Sequence, residues 1–311
     1  LITHELATLY KAYREKTAAL LAPLPIQYID FAYWQRQWLQ GEELDRQVAY
    51  WKGKLDNEYQ VLDLPTDFPR PAIATSHGES FTVTLPSELK LLIQSTASQY
   101  NATPFMVLLC GLYAALHRFS GQAGINIGTP IAGRNLTETE ALVGFFINTV
   151  IMSVELGDNP AIGELLERVK RTALDAYAHQ ALPFEKIVEV LKPKRDPSRS
   201  PLFQVFFNLL NLPDPTEVSG IKVDNLAQDD NESHAKYDIN IYAKEFSDRI
   251  DLLVVFNPDL YRKESVANIV DAMVSSLRSF DGPTTKLLEI PLLDAGIAAV
   301  DPTENLPVQP G

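Results

Sequence analysis

Asn148 has the strongest claim to chemistry in this chain. It stands within residues 145–152 (FFINTVIM), a stretch that otherwise reads as one apolar strand. A buried amide must find partners or cost about 1–3 kcal/mol. Two readings are open: a hydrogen bond to backbone at a strand end, or an amide facing a polar tunnel. The five histidines, His4, His77, His117, His179 and His234, include no pair at metal-ligand spacing, and Cys110 stands alone. No metal site is expected from such a set. His117 and His179 lie near predicted helix ends, where an imidazole can meet terminal carbonyls, and that role competes with catalysis for each. A Ser-His-Asp triad is not excluded by residue order, but the chain has no G-x-S-x-G elbow. Residues 128–135 (GTPIAGRN) superficially resemble a phosphate-binding loop. That loop needs Lys and then Ser or Thr after its second Gly, and Arg134 and Asn135 stand there instead. A plain strand-to-helix loop is the expectation.

Composition narrows the classes. The 311 residues leave room for about two domains by length alone. With 46% hydrophobic and 22% charged residues, the chain can build a core. A net charge of -13 with no basic run argues against nucleic acid and against an anionic membrane surface. A single cysteine cannot form an internal disulfide, which fits a reducing, cytoplasmic setting. The longest apolar run, residues 105–116 (FMVLLCGLYAAL), falls short of the ~20 residues of a membrane span and predicts a buried core helix. No basic segment or cleavage site opens the chain, so no secretory signal is expected.

The elements that must position these residues alternate along the chain. Helical spacing covers residues 1–13, with no capping residue or initiator Met ahead, so that helix looks cut from something longer. A second amphipathic helix is predicted at 44–55, and the proline-rich residues 62–72 (LDLPTDFPRPA) read as an extended crossing segment. Phe81, Val83 and Leu85 alternate like a strand, and Ser87 is placed as the cap of a helix to about Tyr100. Thr103 and Pro104 start a helix that Gly121 ends. Strands are predicted at 125–128, 145–154, 202–210, 237–243 and 250–256. Helices are predicted at 162–178, 184–191 and 266–277, and Thr137 with Glu140 as a capping box for a short one. Residues 211–235 form a long polar excursion with one short strand at 221–223, and the tail with Pro302, Pro307 and Pro310 reads as linker. Such alternation predicts an α/β layered sandwich.

Four ordered segments together carry a resemblance. Residues 28–34 (YIDFAYW) match Y-x-D-[FY]-A-x-W, and residues 143–149 (VGFFINT) match V-G-x-F-V-N-T with Ile147 for Val. Residues 179–185 (HQALPFE) match H-Q-x-x-P-F-E, with Ala181 where Asp is frequent. Residues 195–202 (RDPSRSPL) match R-D-x-S-R-x-P-L, with Ser200 where Asn is frequent. In these segments, from about Leu1 to Asp294, the chain resembles the C-terminal lobe of a condensation domain of nonribosomal peptide synthetases.

The resemblance implies a chloramphenicol acetyltransferase-like fold, with a mixed sheet flanked by helices, in which two lobes enclose a tunnel. It implies amide-bond formation between aminoacyl or peptidyl thioesters carried on phosphopantetheine arms, with no cofactor bound directly. The implied partners are the N-terminal lobe of the same domain, donor and acceptor carrier proteins and an adjacent adenylation domain. The family's H-H-x-x-x-D-G motif has no counterpart here, and no His-His pair occurs. The catalytic histidines are therefore expected upstream of Leu1, and the isolated chain is expected to be inactive. By this reading residues 1–24 end the missing lobe, 25–295 form the C-terminal lobe and 296–311 are linker. Asn148 becomes the candidate for a tunnel-facing hydrogen-bonding group, with Gly144, Thr149 and Gln180 on the tunnel wall. Tyr28, Asp30, Trp34, His179, Pro183, Phe184, Glu185, Arg195, Asp196, Ser198 and Arg199 are expected to be structural, the charged ones as ion pairs. A latch to the other lobe is expected in 211–235 and a tunnel floor at 128–135. Two alternatives remain: an epimerization domain of the same superfamily, and a non-catalytic member that docks partners.

Overall fold

The apolar run at 105–116 becomes the centre of the molecule. In the computed structural model, residues 1–55, 61–210 and 233–291 are described. The run lies in helix α5 (Pro104–Ser120). Thr103 caps it, its Oγ1 accepting from the Met106 N–H at 3.3 Å, and Gly121 ends it in the left-handed region at φ 68°. Every residue from Met106 to His117 is buried. Helices α4 (Ser87–Gln99), α6 (Ile162–Ala178) and α8 (Lys263–Arg278) pack around it. Truncating Leu108, Leu109 or Leu112 to alanine in so dense a layer costs roughly 2–5 kcal/mol.

The helices rest on a mixed sheet. Among the described residues its strands are β1 (His77–Leu85), β2 (Gly124–Ile131), β3 (Asn148–Glu155), β4 (Val205–Leu210), the two-residue β5 (Ser233–His234), β6 (Ile239–Glu245) and β7 (Ile250–Phe256). Their order is β3-β2-β4-β6-β7-β1-β5. β4 runs parallel to both of its neighbours and the other pairs are antiparallel. Parallel neighbours require crossovers, and α6 with α7 (Phe184–Leu191) lies in the crossover that brings the chain from β3 to β4. On β4, Phe207 meets Phe105 of α5 at a centroid distance of 5.7 Å. Alternation therefore turns Phe206 and Asn208 to the opposite face.

Among the described residues, three further helices stand before β1: α1 (Ile2–Glu15), α2 (Tyr28–Trp38) and α3 (Gly41–Leu55). α3 docks through the buried Trp51, whose Nε1–H donates to the His179 carbonyl at 3.0 Å. The extended segment at 62–72 is pinned to the sheet by Arg70. Its guanidinium forms a two-pronged pair with Asp238 at 2.5 and 3.1 Å. The α/β layered class expected from the alternation is the one observed.

Several local expectations change. The segment at 28–34 is a helix, α2, that the periodicity did not reveal, because none of its residues is buried and no apolar stripe stands out. Ser87 is the first helical residue of α4 and not its cap, since Pro86 holds the N-cap position in extended geometry. Thr137 opens a 3-10 turn, Thr137–Thr139, preceded by Leu136 and without a side-chain cap. The strand expected at 145–154 begins only at Asn148. Its partner β2 ends at Ile131, opposite Asn148. Beyond it Gly133 takes φ 65°, and the Phe146 carbonyl oxygen fills the place that a Cβ would take there. The strand expected at 202–210 begins at Val205, after Leu202, which is buried with φ 71° and has its carbonyl held by the Asn126 amide. The short strand at 221–223, most of the latch segment and the proline-rich tail lie outside the described residues.

Candidate active site

On the sheet face opposite α5 lies a cleft of about 1280 Å³. All four sequence segments singled out above reach it: Tyr28 and Trp34; 145–149; Gln180 and 183–185; Ser200 and Pro201. Strands β4 and β6 supply its inner wall with Phe206, Asn208 and Tyr242, next to Tyr237.

Asn148 is the first residue of β3 and ties two of these segments together. Its Nδ2 donates to the carbonyls of Gln180 and Leu182, each at 2.9 Å. Its Oδ1 accepts from the Thr149 N–H at 2.8 Å and the Phe184 N–H at 3.0 Å. Both donors and both lone pairs are thus engaged by backbone. The hydrogen-bonding pattern is that of the strand-end reading, although the residue also lines the cleft with Thr149 and Gln180. Gln180 turns its own amide to the Tyr177 carbonyl at 2.8 Å. Pro183 occupies the N-cap position of α7, and Phe184 meets Phe203 edge-on at 5.6 Å.

Gly144 answers to Tyr28. A Cβ on Gly144 would collide with Tyr28 Cδ2, so the tyrosine ring occupies the space that any side chain would need. The Tyr28 hydroxyl donates to the Phe145 carbonyl at 2.8 Å, and its ring meets Phe146 edge-on at 5.2 Å. The Arg134 guanidinium covers the Phe146 ring at 4.2 Å and donates to the Thr139 carbonyl. Asp30 caps α2 by accepting from the Gln27 N–H at 2.8 Å, and Trp34 stacks on Trp38 at 5.5 Å. α2 therefore lays an aromatic edge along the mouth of the cleft.

His179 ends α6 and stands behind the wall. Its Nδ1 faces the Asp175 carbonyl at 2.8 Å, so Nδ1 carries a proton, while Nε2 faces Arg46 Nη1 at 3.1 Å and accepts. The ring lies on Tyr50 at 3.8 Å and 6°. These partners fit the helix-end role expected for it, and His117 likewise faces a backbone carbonyl, that of Gln122, at 2.8 Å. Asp196 accepts from the Ser198 N–H at 2.9 Å and hydroxyl at 2.5 Å, and pairs with Arg199 at 2.9 Å. Those hydrogen bonds first, and Arg199 after them, hold its carboxyl below the usual range. Arg195, expected in an ion pair, makes none among the described residues. It lines a second groove, outside the cleft, together with Asp196 and Arg199.

Charge is sparse in the cleft itself: among the described residues, Glu185 and Lys236 are the charged ones that line it. Burial pushes the Tyr237 and Tyr242 phenols up, with Glu185 adding to the effect at Tyr237, so both stay neutral. Among the described residues no three His, Cys, Asp or Glu side chains converge to hold a metal. Residues 128–131 belong to β2, which removes the strand-to-helix loop from that position, while Pro130, Gly133 and Asn135 border the cleft. The sequence reading missed Asn208. Its signal was the one polar residue in 205–210 (VFFNLL), the same kind of signal that drew attention to Asn148.

Known proteins are similar to this chain in sequence and in fold. A family model described as the condensation domain matches residues 1–296. A linear gramicidin synthase protein of Brevibacillus parabrevis is 41% identical over 304 residues, covering 97% of this chain and 4% of the relative. Malpinin synthetase of Mortierella alpina is 36% identical over 294 residues, covering 93% of this chain and again 4% of the relative. The chain thus spans a small fraction of the length of the curated relatives it matches. Among solved structures, the X-domain from teicoplanin biosynthesis superposes with a TM-score of 0.79 at 23% identity, over 93% of this chain and 67% of that one. A four-domain nonribosomal peptide synthetase bound to AMP and glycine gives 0.79 at 22%, over 94% of this chain and 24% of that one. At such identities these two likenesses show the fold, which is the chloramphenicol acetyltransferase-like class expected above. Neither epimerization nor docking is favoured by these relatives. The match over nearly the whole chain, with four family-like segments meeting at one cleft, shows that the chain belongs to the condensation-domain family.

Proposed function

We propose that this chain is the C-terminal lobe of a condensation domain that joins carrier-bound thioesters through an amide bond. The observation that carries the reading is the convergence of the four segments on one large, mostly neutral cleft. In the reaction, the acceptor amine attacks the donor thioester carbonyl. A C–N bond forms, the C–S bond breaks, and the amine proton ends on the departing thiol. The family's histidine motif would position or deprotonate that amine. This chain contains no His-His pair, so we place the motif in the segment ahead of residue 1 in the whole domain. Residues 1–24 would then close the upstream lobe, 25–295 form this lobe and 296–311 link onward.

What this lobe contributes is a wall and an alignment. Holding two tethered reactants in register is a large catalytic term by itself. Asn148 fixes β3 to the turn at 180–184, and Thr149, Gln180 and Gly144 sit where that wall meets the cleft or α2. Residues 128–135 border the cleft as the floor would, and the latch is assigned to 211–235. The partners implied are the N-terminal lobe, donor and acceptor carrier proteins bearing phosphopantetheine, and an adenylation domain, as suits relatives that are multidomain synthetases.

The test supplies loaded donor and acceptor carrier proteins to the isolated chain and to a domain with both lobes, and follows dipeptidyl product by mass spectrometry. Product from the two-lobed domain alone is expected. Comparable turnover by the isolated chain would remove the fragment reading. No product from the two-lobed domain, with any loaded pair, would remove the function.

A further inference from the structure

Asn208 is a polar residue with no assigned task. It is half-buried in β4, between Phe207 and Leu209, and lines the cleft. Its side chain makes no hydrogen bond among the described residues, in contrast to Asn148, whose amide is fully engaged. Its lateral neighbour across the parallel β4–β6 ladder is Tyr242. On the same face stands Phe206, whose ring stacks on Tyr237 at 5.2 Å and 16° and meets Tyr242 at 6.3 Å. Among the described residues, a primary amide without a hydrogen-bond partner thus lies at the edge of a surface made of three aromatic rings. An amide in such a place offers one donor group and one acceptor together, and the rings offer apolar contact. A matching ligand has a secondary amide flanked by apolar carbon.

We propose that Asn208 is a specificity-determining residue of this cleft, reading a secondary amide of a tethered substrate laid over Phe206, Tyr237 and Tyr242. The inference rests on the function proposed above and deepens it. It assigns the residue a substrate group to recognise, and assigns the three rings the apolar carbon beside that group. A site built around a hydrogen bond rejects an analogue that lacks it, because the site's polar group is then left unpaired. A short acyl thioester without amides gains only the aromatic contact. Two parts of a carrier-bound substrate have the required chemistry: the peptidyl group itself and the pantetheine arm.

The experiment uses the two-lobed domain and its Asn208→Leu and Asn208→Gln variants, with thermal unfolding as the check on folding. Three donor thioesters are compared by kcat/KM: a peptidyl pantetheine, the same compound with its peptide amide replaced by an ester, and the same peptidyl group on a simple alkyl thiol. In the wild type, the substitution that removes the amide in question lowers kcat/KM about tenfold. In Asn208→Leu that penalty vanishes, because the two donors that keep the amide fall to the level of the one that lacks it, while Asn208→Gln retains part of it. A penalty with the ester assigns the peptidyl group, and one with the alkyl thiol assigns the arm. Wild-type product with any donor upholds the function irrespective of Asn208. Given that product, ratios among the three donors that are the same in Asn208→Leu as in the wild type overturn the inference alone. A folded Asn208→Leu with wild-type kcat/KM throughout overturns it as well. Absence of product from the wild type with every donor overturns both.

Discussion

Asn148 joins β3 to the turn at 180–184 through four bonds, so its removal has two separable consequences. Asn148→Ala leaves the Gln180 and Leu182 carbonyls and the Thr149 and Phe184 N–H groups short of partners. A loss of about 1–3 kcal/mol is expected, read as a lower denaturation midpoint. Single-turnover product formation in the two-lobed domain, measured well below that midpoint, should fall as well, since the same bonds hold the cleft wall. Asn148→Asp should be at least as damaging at neutral pH. A carboxylate cannot donate, and it would face two carbonyl oxygens. That environment raises the pKa of the new carboxyl in the folded state. A raised acid binds its proton more readily when folded, so the deficit against wild type should shrink as pH falls. A deficit that grows as pH falls would contradict this account. Gly144 supports a second prediction. Gly144→Ala sets a Cβ against the Tyr28 ring and should cost about 1–3 kcal/mol by overpacking. Tyr28→Ala in the same chain should relieve much of it, so the two losses should be clearly less than additive in denaturant titrations.

The central element, α5, is capped at its start by one hydroxyl, ahead of Pro104. Thr103→Ala removes the acceptor for the Met106 N–H and should lower stability by about 1 kcal/mol, with an unchanged denaturant slope. Activity of the two-lobed domain per folded molecule should be untouched, because α5 packs on the sheet face away from the cleft. A change in activity without a change in midpoint would mean that the layer between α5 and the cleft transmits more than packing. α2 is the contrasting element. It has no buried residue, and it is held to 143–149 by the Tyr28 hydroxyl and by aromatic edges.

At the scale of the whole molecule, α1, α2 and the segment before β3 leave apolar surface uncovered. Tyr13 is 85% exposed, Ile29 74% and Phe145 76%. Contiguous apolar patches above a few hundred Å² mark interaction surfaces. The isolated chain should therefore self-associate, or bind a separately produced N-terminal lobe. Sedimentation velocity at micromolar concentration checks this. A strict monomer that ignores the lobe would count against the two-lobe assembly.

The sequence alone determined most of the element order, because its signals are local. Thr103, Pro104 and Gly121 bracket α5, and the boundaries of α6, α7 and β7 follow from periodicity and composition. It also carried the family, through segments whose residue types recur at set spacing. The strand pairing was not legible. β4 lies between β2 and β6 because crossovers bring it there, and nothing local encodes its neighbours. The tertiary structure alone decided what the polar residues do. Asn148 and Asn208 look alike in sequence, each an amide in an apolar stretch. One begins its strand opposite Ile131 and meets the backbone of the 180–184 turn, while the other faces open cleft between aromatic rings. Their difference lies in which distant backbone groups come within hydrogen-bond range, a property of the assembled layers and of no local segment.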